Sequence, residues 1–230
     1  MIDAKALLDR YLGIENTEKL EKHARDLKAK AQENPLAATA IAGGLAAVLL
    51  GTKSGRALSG GVLRLGGAAA VAGLAYKAYQ DWQAKQAGGA VPASEPAALP
   101  PPDSDFLPRA GREQAHAQAL IVAMIQAAKA DGFIDDDERA RIIGRVDELG
   151  LGDEEIQFVI EEIRAPLDID RVVKSATGPE MAMELYTAST VAIDADHPAE
   201  RAYLDMLAAR LGLDPALKKS LDETIRSART

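Results

Sequence analysis

Leu120-Ile121-Val122-Ala123-Met124-Ile125-Gln126-Ala127-Ala128-Lys129-Ala130-Asp131-Gly132 runs directly into Phe133-Ile134-Asp135-Asp136-Asp137-Glu138. Leu120, Met124, Ala127 and Ala128 recur at helical spacing and share one face. A helix is expected over about 110–130, ended by Gly132, since glycine takes the left-handed C′ conformation without steric cost. The acids that follow then belong to the start of the next helix. Asp135 serves as its N-cap, and Glu138, three positions on, completes a capping box. Negative charge there also suits the positive end of the helix dipole.

The same residues match part of a calcium loop. Asp131, Gly132, Ile134, Asp135 and Glu138 fit the fifth, sixth, eighth, ninth and twelfth positions of an EF-hand. The first half does not match, because Ala127 and Lys129 stand where the first and third ligands belong. The helix over 110–130 also removes those residues from any loop.

Punctuation continues along the chain. Helices are expected over about 136–149, closed by Gly150, and over 153–164, with Asp153 as N-cap and Pro166 beyond. A short helix follows over 168–176. Gly178-Pro179 opens another over 179–193, with Met183, Tyr186 and Val191 apolar. Pro198 at N1 starts one that ends at Leu211-Gly212, and Asp214-Pro215 caps the last. No useful β-alternation appears, so 109–230 reads as an all-α domain of about seven helices.

Asp194-Ala195-Asp196-His197-Pro198-Ala199-Glu200 repeats the grammar of the first turn: an acid at a helix end, an Asp N-cap, Pro at N1 and Glu near N3. Two related helix–acidic turn–helix units are inferred. Packed side by side, they would bring Asp131, Asp135, Glu138, Asp194, Asp196 and Glu200 onto one face. Such a face either caps helices only or also holds a hard divalent cation, calcium or magnesium, through oxygen ligands. His197 reads as a turn residue beside the cluster, and His23 and His116 read as solvated.

Charge divides the chain. The total is -8. Residues 1–35 hold seven basic and seven acidic side chains, 36–90 hold five and one, and 91–230 hold fifteen and twenty-seven. The acidic part argues against nucleic acid, which needs clustered Lys and Arg. The absence of cysteine excludes disulfides, thiolate metal sites and a cysteine nucleophile.

Residues 1–35 read as an amphipathic helix carrying Leu20, Ala24, Leu27 and Ala31 on one face and stopped at Asn34-Pro35. It is either a solvated helix packed on the rest of the molecule or a coiled-coil or membrane-surface helix. Acids from Asp3 onward, with no apolar run after Met1, do not resemble a signal peptide.

Residues 36–86 are expected to form a Gly/Ala-rich helical hairpin. Leu36–Leu50 is uncharged and spans about 22 Å as a helix, short of the roughly 30 Å of a bilayer core. Gly43, Ala47, Gly51 and Gly55 fall at strict four-residue spacing, and Gly66 and Gly73 continue the small-residue pattern, a glycine zipper that lets helices approach closely. Tyr76, Tyr79 and Trp82, with Lys77 and Lys85, have the composition of membrane-interface anchors. Arg64 would be costly at depth. The hairpin either associates with a membrane or packs inside a homo-oligomer without meeting lipid. Residues 87–108 hold six of the eleven prolines and read as an extended linker.

Ala127–Ile134 with Glu138, together with Asp194-x-Asp-x-x-x-Glu200-x-x-Tyr203-Leu204-x-x-Leu207-Ala208-x-x-Leu211-Gly212-Leu213, resembles the TerB-like tellurite-resistance fold. Leu50–Arg56, Gly66–Ala70 and Gly73–Trp82 resemble the YebE-like inner-membrane proteins, a family of unknown function. The resemblance implies an all-α C-terminal domain, a bacterial inner-membrane segment and a cytoplasmic acidic face proposed to bind metal. It supplies no reaction, and fold does not fix function.

Three functions fit these features to different degrees. One is a membrane-anchored, non-enzymatic module whose acidic face takes a divalent cation or a basic protein partner. The second is an oligomeric membrane scaffold assembled through the hairpin, with no metal role. A metal-dependent hydrolase is least supported, because no His-x-x-x-His, Gly-x-Ser-x-Gly or P-loop motif is present.

Overall fold

The structure is a computed structural model that describes residues 67–88, 100–109, 111–132, 153–193 and 197–229. These residues form seven helices and no strand: α1 Gly67–Gln86, α2 Glu113–Ala128, α3 Asp153–Arg164, α4 Ile169–Lys174, α5 Pro179–Ala192, α6 Pro198–Arg210 and α7 Pro215–Ala228. The all-α expectation holds. The expected helix over 136–149 and the N-terminal helix over 1–35 lie outside the described residues.

Local chemistry sets the ends where sequence placed them. Asp214 Oδ1 accepts from Ala216 N at 2.8 Å and Leu217 N at 3.2 Å, with Pro215 at N1 of α7. Gly212, at φ +70°, closes α6. Leu213 N donates to Ala208 O and Gly212 N to Ala209 O, the paired bonds of a Schellman motif. Asp168 Oδ1 caps α4 through Arg171 N.

α5 is the centre. Every residue from Met181 to Ala192 is buried, so the helix needs neighbours on all sides. α1, α2, α6 and α7 supply them, with α3 and α4 packed on α2.

The packing of α1 differs from the expected division of the chain. Assigned in sequence to the hairpin of 36–86, it packs on α7 and α5 within the helical body. Ala70, Val71, Ala72, Leu74, Ala75 and Ala78 are buried. Its small side chains admit a close backbone approach: Ser220 Oγ of α7 donates to Ala78 O at 2.9 Å. Lys85 pairs with Glu223 at 3.0 Å, and Lys77 with Asp81 on its own helix at 3.1 Å. Among the described residues no helix is long and apolar enough to cross a membrane.

The far end of the Pro-rich stretch is seated rather than free. Phe106 is buried and meets Tyr76 edge-on at 5.5 Å and Tyr79 at 5.8 Å. Ser104 shapes the turn by accepting at Oγ from Phe106 N.

Cross-helix bonds also fix direction. Ser189 Oγ donates to Ala123 O at 3.2 Å, and His116 Nε2 lies 3.4 Å from Glu184 Oε1. Both contacts are reachable only if α2 and α5 run in the same sense. Their C-terminal ends therefore lie together. The Ala78–Ser220 and Lys85–Glu223 contacts give α1 and α7 a common sense. Tyr186–Asp222 and the bonds from Arg229 to Thr190 O and Ile193 O do the same for α7 and α5. The amino end of α1, at Gly67, is thus opposite the end at which α2 and α5 finish.

Ala78→Leu should overpack the α1–α7 contact and cost roughly 1–3 kcal/mol, read by urea unfolding of the full chain. Unchanged stability would show that α1 does not hold this place.

Candidate functional site

The first acidic turn is described as far as Gly132. Ala130 N donates to Ala127 O and Gly132 N to Lys129 O, tightening the end of α2. Gly132 has the expected positive φ, +115°, but the C-cap of α2 is Lys129, so Gly132 lies two residues beyond the C′ position. Asp131 is exposed. Asp135 and Glu138, with their expected capping box, lie outside the described residues, as do Asp194 and Asp196.

At the second turn the structure corrects the cap. The N-cap of α6 is His197, not an aspartate. Pro198 occupies N1, and the residue before N1 is by definition the cap. His197 Nδ1 accepts from Ala199 N at 3.3 Å, and Glu200 Oε2 accepts from His197 N at 3.3 Å. His197 is therefore an acceptor in a capping box rather than a plain turn residue. Glu200 spends one carboxylate oxygen on its own helix start. Among the described residues no group of three or more His, Asp or Glu side chains could hold a metal ion. Asp131 and Glu200 are the described members of the expected six.

Gly73 is buried in α1. Gly43, Ala47, Gly51, Gly55 and Gly66 lie outside the described residues. Tyr76, Tyr79 and Trp82, expected as interface anchors, pack against the hydrophobic core. Tyr79 and Trp82 stack with centroids 5.8 Å apart.

Two buried polar groups were missed in sequence. The first locks the turn between α3 and α4. Glu162, 2% exposed, accepts at Oε1 from Gln126 Nε2 at 2.7 Å and pairs through Oε2 with Arg171 at 2.7 Å. Gln126 Oε1 accepts from Asp168 N at 2.7 Å. Lys129 donates to Glu162 O and Ala165 O, the free carbonyls at the end of α3. Burial lowers the Lys129 pKa, while the Glu162 charge opposes that shift.

The second is Glu184, fully buried in α5. Among the described residues no donor meets hydrogen-bond geometry at its carboxylate oxygens, and His116 Nε2 at 3.4 Å is the near neighbour. His116 is its ion-pair neighbour, and the imidazole is mostly buried rather than solvated as expected. Burial raises the Glu184 pKa against the opposing influence of His116, and Glu180 pushes it the same way as burial. The signal was present in sequence: Glu184 is the one charged residue within 181–193.

α7 is tied to α5 by a third group. Tyr186 O–H donates to Asp222 at 2.8 Å, and Lys218 pairs with Asp222 at 2.9 Å while lying 5.7 Å from the Tyr186 ring centroid. Burial and the Asp222 carboxylate raise the tyrosine pKa.

Gln126→Ala should cost about 1–3 kcal/mol, because Glu162 Oε1 and the Asp168 N–H both lose a partner. Gln157→Ala, which removes an exposed bond to Glu161, should stay within about 0.5 kcal/mol. Equal effects in chemical denaturation would contradict the assigned role of the network.

The comparisons with known proteins name no activity. An "Uncharacterized protein in ampR 5'region" of Yersinia enterocolitica is 33% identical over 109 residues, covering 47% of this chain and 78% of the relative. No solved structure matches. The family described as "Protein of unknown function (DUF533)" matches residues 36–225, and the chain belongs to that family.

Proposed function

We propose that the chain is a membrane-anchored, non-enzymatic helical module of the YebE-like type. In this reading its helical body is TerB-like. Its two acidic turns take a divalent cation, calcium or magnesium, or a basic protein partner. The acid-free run ahead of α1 is the membrane-associated part, in a bacterial inner membrane with the helical body on the cytoplasmic side.

One observation carries the reading. The same-sense pairing of α2 with α5 brings together the two helix ends from which the acidic turns leave. Asp131 follows one end and Asp194 the other. The acid-free run reaches α1 at the opposite end, so charge that would be repelled by an anionic leaflet is directed away from it. Oxygen ligands at such a turn suit a hard cation. The non-enzymatic reading rests on the lack of a recognised nucleophile–base motif in the sequence.

A second reading, the oligomeric scaffold without a metal role, is favoured by the strict ladder Gly43-Ala47-Gly51-Gly55 ahead of α1.

The module reading predicts that full-length protein stays in the membrane pellet through high-salt and carbonate washes. It also predicts that calcium or magnesium raises the melting temperature of purified protein by mass action, about 2.7 kcal/mol at a hundredfold excess over Kd. Asp131→Ala/Asp194→Ala should abolish that rise. Release into the wash would sink the anchor, and an equal rise in the double variant would sink the cation site. For the scaffold, Gly51→Leu should reduce oligomer size in detergent.

A further inference from the structure

We infer that His116 and Glu184 form a proton-dependent latch between α2 and α5. The latch holds when the pair carries a proton and loosens when the proton is lost. This inference is independent of the membrane and cation readings.

The geometry is specific. Glu184 lies at the heart of a helix buried on every side, with its side chain fully enclosed. An ionised carboxylate in such a place is costly unless it is paired. His116 Nε2, 3.4 Å away on α2, is its ion-pair partner. The imidazole is 12% exposed, while the carboxylate is wholly enclosed, so His116 is the proton's route to water. With its proton the Glu184 carboxyl is neutral. Without it, a bare negative charge is left in the core.

Several basic groups on the helices around α5 are engaged elsewhere, Lys129 at the end of α2 among them through the Glu162 and Ala165 carbonyls. On α7, Lys218 is held by Asp222 and Asp205, and Arg229 donates to the terminal carbonyls of α5. On α1, Lys77 is held by Asp81 and Lys85 by Glu223. On α6, Arg210 is held by Asp170, Arg201 is exposed, and His197 and Glu200 are engaged in the capping box. Glu180, one turn before Glu184 on α5, adds further negative charge.

The sign follows from linkage. Glu184 has a raised pKa in the folded state, so its favourable contribution is complete below the ordinary carboxylate value. It is lost as pH rises through the raised value. Loss of one proton changes the unfolding equilibrium by at most about tenfold per pH unit.

The test is urea unfolding of the full chain from about pH 5 to about pH 8, with amide exchange along 117–125 and 184–190. Wild-type protein should lose midpoint as pH rises, and exchange in the two segments should speed up together. Glu184→Gln keeps the shape but cannot ionise, so its midpoint should lose that dependence. His116→Gln removes the group that favours the carboxylate, so its fall should deepen. A Glu184→Gln variant as pH-sensitive as wild type would overturn the latch. Should that variant fail to fold, a His116→Gln profile parallel to wild type would overturn it equally.

Discussion

Burial of α5 from Met181 to Ala192 governs how the other helices pack. A helix with no solvent-facing side cannot persist without neighbours all round, and α1, α2, α6 and α7 provide them. This makes α1 a structural member of the body. Its alanines and Gly73 are small because α7 approaches closely enough for Ser220 to reach the Ala78 carbonyl. Phe106 then covers Tyr76 and Tyr79, drawing the end of the Pro-rich stretch onto the same surface.

Same-sense packing has an electrostatic consequence. Parallel helices place their negative dipole ends side by side, which is unfavourable unless cations answer them. Arg229 does so at α5, donating to Thr190, Val191 and Ile193 carbonyls. Lys129 does so at α3. Both acidic turns leave from this same region of the molecule. Asp131 follows α2 at the end where Lys129 caps α3 and Arg229 caps α5.

Much of the helical architecture was legible because its punctuation is chemical. Gly178-Pro179, His197-Pro198, Gly212 and Asp214-Pro215 each mark an end by fixing φ, removing a donor or supplying an acceptor. The role of α1 was not legible, because small residues at four-residue spacing serve helix contact in lipid and in a protein core alike. Tyr76, Tyr79 and Trp82 carry the same ambiguity: an amphipathic ring suits a membrane interface or a half-buried packing surface. His197 was displaced as a cap by its more conspicuous acidic neighbours. His116 read as solvated because nothing local links it to Glu184, which is distant in sequence and adjacent only through the α2–α5 contact. Asp131 follows the end of α2 and Glu200 lies in the first turn of α6, as their places in the sequence implied.

Helices α1 and α5 belong to one cooperative body. Hydrogen exchange of the full-length protein in low denaturant tests it most directly. Amides over Val71–Ala78 and Met181–Ala192 should open with the same free energy and the same denaturant dependence. Fast exchange over Val71–Ala78 while α5 stays protected would contradict it.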